Sequence, residues 1–278
     1  MELRKLLREH GNGLLLSYGQ ILFSRDRVLS LLVMLATFTA PRSALFGVAS
    51  VVASQLLARA LSFDMLRLRD GTLTFNSLLT GLLIGGLYLP GPPTLLLLLV
   101  ASALSLLFTV WLSALLARHN LPNLSGPFLL TSWVVIMGAQ GFSAFHGKVI
   151  TDGHGVIRVA QWFTDWYHAV GLPDAVEIYL RSLGAIFFQY DLLSGLLVAI
   201  GLLYHSRIAF LLTVVGFGSG YLFYSTMEGD ISQLIYSYIG YNFILTAIAL
   251  GGYYFVPSAT GPTGSPRSAL PRWMTTTA

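Results

Sequence analysis

Residues 94–116 read TLLLLLVASALSLLFTVWLSALL, more than twenty positions without a charge. Coiled as an α-helix, such a run crosses a hydrocarbon core roughly 30 Å thick. Pro92 and Pro93 stand before it, and Arg118 with His119 closes it. Working outward, the apolar segments 28–40, 43–58, 192–204 and 208–226 are shorter, so some are expected to span with help and some to span only halfway. The chain is 55% hydrophobic and only 10% charged, with a mean hydropathy of +0.71. That is too apolar to keep a water-soluble surface mostly polar. The fold class expected is therefore an all-α integral membrane protein.

Several function classes drop out on composition. There are no cysteines, so disulfides, thiolate metal sites and thiol catalysis are excluded within this chain. The net charge is +4, but the sixteen basic residues are scattered between apolar runs, which speaks against a nucleic-acid partner. They read better as topology signals, and Arg4, Lys5 and Arg8 ahead of the first apolar run place the N-terminus on the cytoplasmic side. The opening MELRKLLREH has mixed charge and the run after it is broken at Tyr18, Gly19 and Gln20, a poor match to a cleaved signal peptide. No nucleophile, acid–base pair or metal cluster has recognisable spacing, so neither enzyme activity nor a cofactor or metal is expected. The six histidines form no HExxH pattern, and Gly216-Phe217-Gly218-Ser219-Gly220 fails as a dinucleotide loop because Tyr221 stands where the third glycine belongs.

The chain repeats itself. Ser17-Tyr18-Gly19-Gln20-Ile21-Leu22-Phe23 aligns with Ser182-Leu183-Gly184-Ala185-Ile186-Phe187-Phe188 at an offset of 165, and Asp26 with Asp191 at the same offset. Phe75-Asn76-Ser77-Leu78-Leu79-Thr80-Gly81, running to Gly85-Gly86, aligns with Tyr241-Asn242-Phe243-Ile244-Leu245-Thr246-Ala247, running to Gly251-Gly252, at an offset of 166. Tandem membrane repeats bury their site near the midplane, where interrupted helices of the two copies meet. An odd number of spans per copy makes the copies inverted. The expected organisation is a first membrane repeat over 1–165, a partial second repeat over 166–256 and a Pro/Gly/Ser/Thr-rich tail over 257–278. A loop over residues 141–174 is expected to join the halves, with its Gln161-Trp162-Phe163-Thr164-Asp165-Trp166-Tyr167-His168 run forming an interfacial aromatic belt.

The Phe75–Gly81 motif, Leu121-Pro122-Asn123-Leu124-Ser125-Gly126-Pro127-Phe128, and Tyr241-Asn242 running to Gly251-Gly252 together resemble the urea transporter family over most of residues 11–257. The resemblance implies a passive channel in the plasma (inner) membrane, commonly a homotrimer with one pore per subunit and re-entrant half-helices. Urea would pass in single file between aromatic slots, with the lipid bilayer around. By the same resemblance the slots are Phe23 with Phe75 and Phe188 with Tyr241. Ile21, Leu79, Ile186 and Leu245 would fill the apolar walls, while Gln20 and Ser125 would supply polar groups.

The bland alternatives are specific too. Phe23, Phe75, Phe188 and Tyr241 could be ordinary core or lipid-facing aromatics, Gln20 could bond a neighbouring helix, and Ser125 could serve the backbone beside Pro127. Asn76 and Asn242 are expected to hold broken backbone together, and Asp26, flanked by Arg25 and Arg27, to cap a helix. The sequence departs from the family at Ala185, where an acidic or amide side chain is usual, and at Tyr241. It departs further past residue 257: the counterpart of Ser125 would fall near position 290, so the second repeat is expected to be incomplete. Two other functions stay open, a channel for a different small neutral solute such as ammonia, acetamide or water, and a non-transporting membrane subunit.

Overall fold

A computed structural model describes residues 2–119, 121–145, 156–171, 173–227 and 240–254. Within them the chain is helical: α1 (Glu2–Gln20), α2 (Arg27–Thr37), α3 (Pro41–Ala60), the short α4 (Met65–Arg69), α5 (Phe75–Leu87), α6 (Pro92–Ala117) and α7 (Gly126–Gln140). A 3-10 turn (Ser143–Phe145) precedes α8 (Arg158–Val170), α9 (Asp174–Ala185), α10 (Leu192–His205), α11 (Arg207–Thr226) and α12 (Gly240–Ile248), which runs on as a π-helical turn (Ala249–Tyr254). Local chemistry sets the starts. Prolines open α3, α6 and α7, where a missing N–H costs nothing. Asp26, Asp64, Asp191 and Ser206 cap α2, α4, α10 and α11 with side-chain oxygens.

The long helices are arranged for lipid. Toward the protein α6 turns Thr94, Ala101, Ser102, Ser105 and Thr109 together with Leu98 and Leu106, and outward it exposes Leu95, Leu96, Leu99, Val100 and Trp111. An inner face made mostly of small and hydroxylated residues, with a leucine-rich outer face, is the pattern of helices packing inside a bilayer. Ser50 Oγ donates to Ser77 O at 2.6 Å and also meets Ser102 Oγ at 2.8 Å, which ties α3, α5 and α6 together. Three described helices, α3, α6 and α11, are long and apolar enough to cross a membrane by length and composition.

Some element boundaries fall at the same offsets as the paired motifs. Both ends of α3 and α11 differ by 166 residues, and α1 and α9 both stop at positions 165 apart. In the first half α3 packs on α5, and in the second α11 packs on α12. At the first crossing a Cβ on Gly81 would come 2.6 Å from Ser50 Cβ, and at the second a Cβ on Gly216 would come 2.8 Å from Ala247 Cβ. These are the same two positions with the glycine exchanged between partners, so both crossings need one residue without a side chain. The halves meet where α2 lies on α10, with Gly201 under Leu29. One buried core runs through both, from Tyr18, Leu29 and Leu78 to Leu183, Val198 and Ile244.

Sequence reading placed a loop over 141–174, yet α8 and the start of α9 occupy its second part. Ala160, Phe163, Thr164 and Tyr167 recur at helical spacing and face inward, and the Tyr167 hydroxyl donates to Pro173 O at 2.9 Å. Val159, Trp162, Trp166 and Val170 face out on the opposite side. Arg158, Gln161, Asp165 and His168 supply a polar stripe along the same helix, so the aromatic cluster read as a belt belongs to an amphipathic helix. The tail over 257–278, and with it the expected incompleteness of the second repeat, lies outside the described residues.

Candidate functional site

Two turns carry candidate residues. After α1, Phe23 N–H donates to Gln20 O at 3.0 Å and Ser24 N–H to Gly19 O at 3.0 Å. After α9, Phe188 N–H donates to Ala185 O at 3.0 Å and Gln189 N–H to Gly184 O at 3.1 Å. Both are Schellman closures, in which the residue before the last donor adopts a left-handed backbone. That residue is normally glycine. Here it is Phe23 and Phe188, each with φ of 58°. A side chain in this region costs about 1–2 kcal/mol. Strain of this kind persists where the surroundings fix it. The same closure recurs at Ser62 after α3, with φ of 56°, so it marks a tight helix end and does not by itself mark a functional ring.

The surroundings do fix it. A Cβ on Gly19 would strike Ser30 Oγ and Ser24 O, and one on Gly184 would strike Ser194 Oγ and Gln189 O, so each turn folds tightly back on its next helix. Leu29 N–H donates to Asp26 Oδ1 and Ser194 N–H to Asp191 Oδ1, both at 2.8 Å. The cap reading of Asp26 is what the structure has. Asp191 does more, since its Oδ2 accepts from Thr39 Oγ1 at 2.6 Å and so joins the halves.

The apolar candidates gather in one place. Ile21, Leu79 and Ile186 are buried in the shared core, and Phe23, Phe75, Phe188, Tyr241 and Leu245 are half-buried against it. None of the four rings is turned wholly outward. Gln20 is half-buried, and its Nε2 donates to Asp70 O at 3.0 Å. Ser125 begins α7 with its hydroxyl making no cap bond, so it does not serve the helix start as the bland reading supposed.

Asn76 does hold broken backbone. Its Oδ1 accepts from Phe128 N–H at 3.3 Å and its Nδ2 donates to Leu124 O at 3.4 Å, across a turn in which Leu124 has φ of 43°. Asn242, its counterpart, is exposed on α12, as is Thr246, whereas Asn76 and Thr80 are fully buried. The same motif is thus clamped in one half and open in the other.

Phe128 was missed among the candidates. Its ring packs against the shared core and lies 5.8 Å from the Phe188 ring, tilted by 55°. The signal was available as the last residue of the Leu121–Phe128 motif, but only folding shows that it meets a ring from the other half.

The family model described as urea transporter matches residues 12–264. No curated protein matches the chain.

Proposed function

The chain belongs to the urea transporter family, whose members carry urea across membranes, and we propose that it does so as a passive channel through each protomer of a homo-oligomer, a trimer by the resemblance, in the plasma (inner) membrane. Urea is flat and uncharged, with one acceptor and four N–H donors. A selective path must replace its hydration with hydrogen bonds and reject ions by desolvation. Phe23 with Phe75, and Phe188 with Tyr241, form the two slots, and Phe128 closes against Phe188. Apolar rings a molecule's thickness apart admit a planar solute edge-on and give a hydrated ion nothing in exchange for its water.

Ile21, Leu79, Ile186 and Leu245 complete the walls. Along one edge, Gln20, the Ser125 hydroxyl and carbonyls freed at the ends of α1 and α9 accept the N–H groups. In this reading α1 and α9 are the re-entrant half-helices of two inverted repeats, 1–165 and 166–256. The observation that supports it is that Phe23, Phe75, Phe188 and Tyr241, drawn from both repeats, stand half-buried against one shared core that holds Ile21, Leu79 and Ile186.

Stopped-flow light scattering on proteoliposomes tests the proposal. Urea efflux is expected to exceed that of empty vesicles and to be unchanged when proton and sodium gradients are collapsed. Efflux no faster than from empty vesicles, or efflux that follows an ion gradient, overturns the channel.

A further inference from the structure

The two candidate turns are braced by different side chains. In the first half both flanks of the Phe23 turn converge on one residue. Gln20 Nε2, before the turn, donates to Asp70 O at 3.0 Å, and Arg25 Nη2, after it, pairs with Asp70 Oδ2 at 3.1 Å. Entry and exit of the turn are thereby tied to the same point of the α4–α5 connection. The repeat offsets put Ala185 and Tyr190 at the places of Gln20 and Arg25, and Ile235 or Tyr236 at that of Asp70. None of these carries the charge or the amide that the first brace uses.

The Phe188 turn is closed by another route. Arg181 stands on α9 one helical turn before Ala185, and its Nη1 donates to Tyr190 O, beyond the turn, at 2.6 Å. The same guanidinium donates from Nε to Glu177 Oε1 at 2.8 Å. The other carboxylate oxygen meets His168 Nε2 of α8 at 3.1 Å. The Arg181 and Glu177 side chains are only 20% and 22% exposed, so water and salt screen this pair less than one at an open surface. At the place of Arg181 the first half has Leu16, which is buried. The arginine is therefore not copied by the repeat; it stands in the half whose sequence lacks the Asp70 brace.

A guanidinium suits this task. Its N–H groups point in fixed directions, so seating Nε on Glu177 aims Nη1 at the Tyr190 carbonyl. Tyr190 precedes Asp191, which caps α10 and accepts from Thr39. Phe188 is the middle residue of the stretch between Ala185, the end of α9, and that cap, and Arg181 ties the two ends of the stretch together.

We propose that Arg181 is a positioning residue of the second slot, acting through the Tyr190 carbonyl to hold the Phe188 turn, and with it the ring, at the spacing that separates urea from bulkier amides. Its effect on permeation rests on the channel reading, whereas its hold on the turn does not.

Arg181→Leu installs the residue of the first half, and Arg181→Lys keeps the charge without the fork. Hydrogen–deuterium exchange of the full chain in detergent reads the turn. The amides of Phe188 and Gln189, which close onto Ala185 and Gly184, should exchange several-fold faster in Arg181→Leu, while those of α5 stay at the parent rate and report intact folding. Should α5 exchange rise as well, Arg181→Lys becomes the deciding variant. Proteoliposome permeability to urea and to N,N′-dimethylurea reads the slot. The preference for urea should fall several-fold in Arg181→Leu, less in Arg181→Lys, and not at all in Arg158→Leu, which alters an exposed arginine on α8. Unchanged exchange at Phe188 and Gln189 overturns the hold on the turn. Faster exchange with an unchanged preference makes the contact a structural tie only and overturns the positioning role. Without urea flux in the parent the channel reading falls, and the exchange rates still decide whether Arg181 holds the turn.

Discussion

The ring of Phe128, at the start of α7, lies 5.8 Å from that of Phe188, in the strained turn after α9. Asn76 fixes the first by accepting its backbone N–H, and a Schellman closure fixes the second. A residue of one half thus completes the surroundings of a ring in the other. A double-mutant cycle with Phe128→Ala and Phe188→Ala should show a coupling of about 0.5–1.5 kcal/mol in unfolding free energy, the range of an aromatic pair. Additive losses would mean that the rings are only neighbours.

The left-handed backbone at Phe23 and Phe188 makes a comparison of two truncations informative. Alanine removes the ring and keeps the strain, while glycine removes both. At each position the glycine variant should be more stable than the alanine variant by about 1 kcal/mol, the cost of a side chain in that region. Chemical unfolding in detergent measures the difference. At an ordinary helical position the order is reversed, because glycine is the poorer former.

Asn76 and Asn242 share a motif but not an environment. Asn76→Leu leaves Leu124 O and Phe128 N–H without their partner inside the protein, and should cost about 1–3 kcal/mol together with a loss of urea flux. Asn242→Leu, on an exposed face, should stay within about 0.5 kcal/mol of the parent. Equal losses in thermal unfolding would show that the Asn242 face is covered in the membrane.

Outside the long apolar helices, Glu177 supplies a pH dependence. Partial burial pushes its carboxyl up, but the hydrogen bonds from Arg181 at 2.8 Å and His168 at 3.1 Å outweigh this and hold it below its usual 4.5. A depressed carboxylate stabilises the fold fully above its unfolded value, and the stabilisation is lost as pH falls through the lower folded value. Glu177→Gln should therefore lower the melting temperature at pH 7 and lower it less at an acidic pH below the usual 4.5. A uniform drop at both pH values would assign the loss to packing. Asp174 and the Tyr167 hydroxyl stand nearby, and neither carries a positive charge that could replace Arg181 or His168.

Much of the architecture could be read along the chain. Residues 94–116 became α6 with prolines at its start, and Asp26 became a cap because an acid ahead of an apolar run is the natural acceptor for free N–H groups. The spacing of α3 and α11 followed the repeat offset. The loop expectation for 141–174 failed because the cluster of Trp162, Phe163, Trp166 and Tyr167 was read as a belt, although Arg158, Gln161, Asp165 and His168 recur at helical spacing as the polar stripe of the same segment. The period was present in the chain, and the aromatic composition obscured it.

What the sequence by itself determined is the solvent and the plan: a composition that only a bilayer can dissolve, two copies of the same motifs, and a family to which those motifs belong. What only the tertiary structure decided is which residues meet. Phe128 against Phe188 and Asp191 against Thr39 depend on how helices approach one another, and close approaches are set by small residues such as Gly81 and Gly216 at the crossings. A helical period reports the face a residue occupies on its own helix. The neighbour across that face is fixed by packing between segments far apart in the chain, which no local pattern encodes.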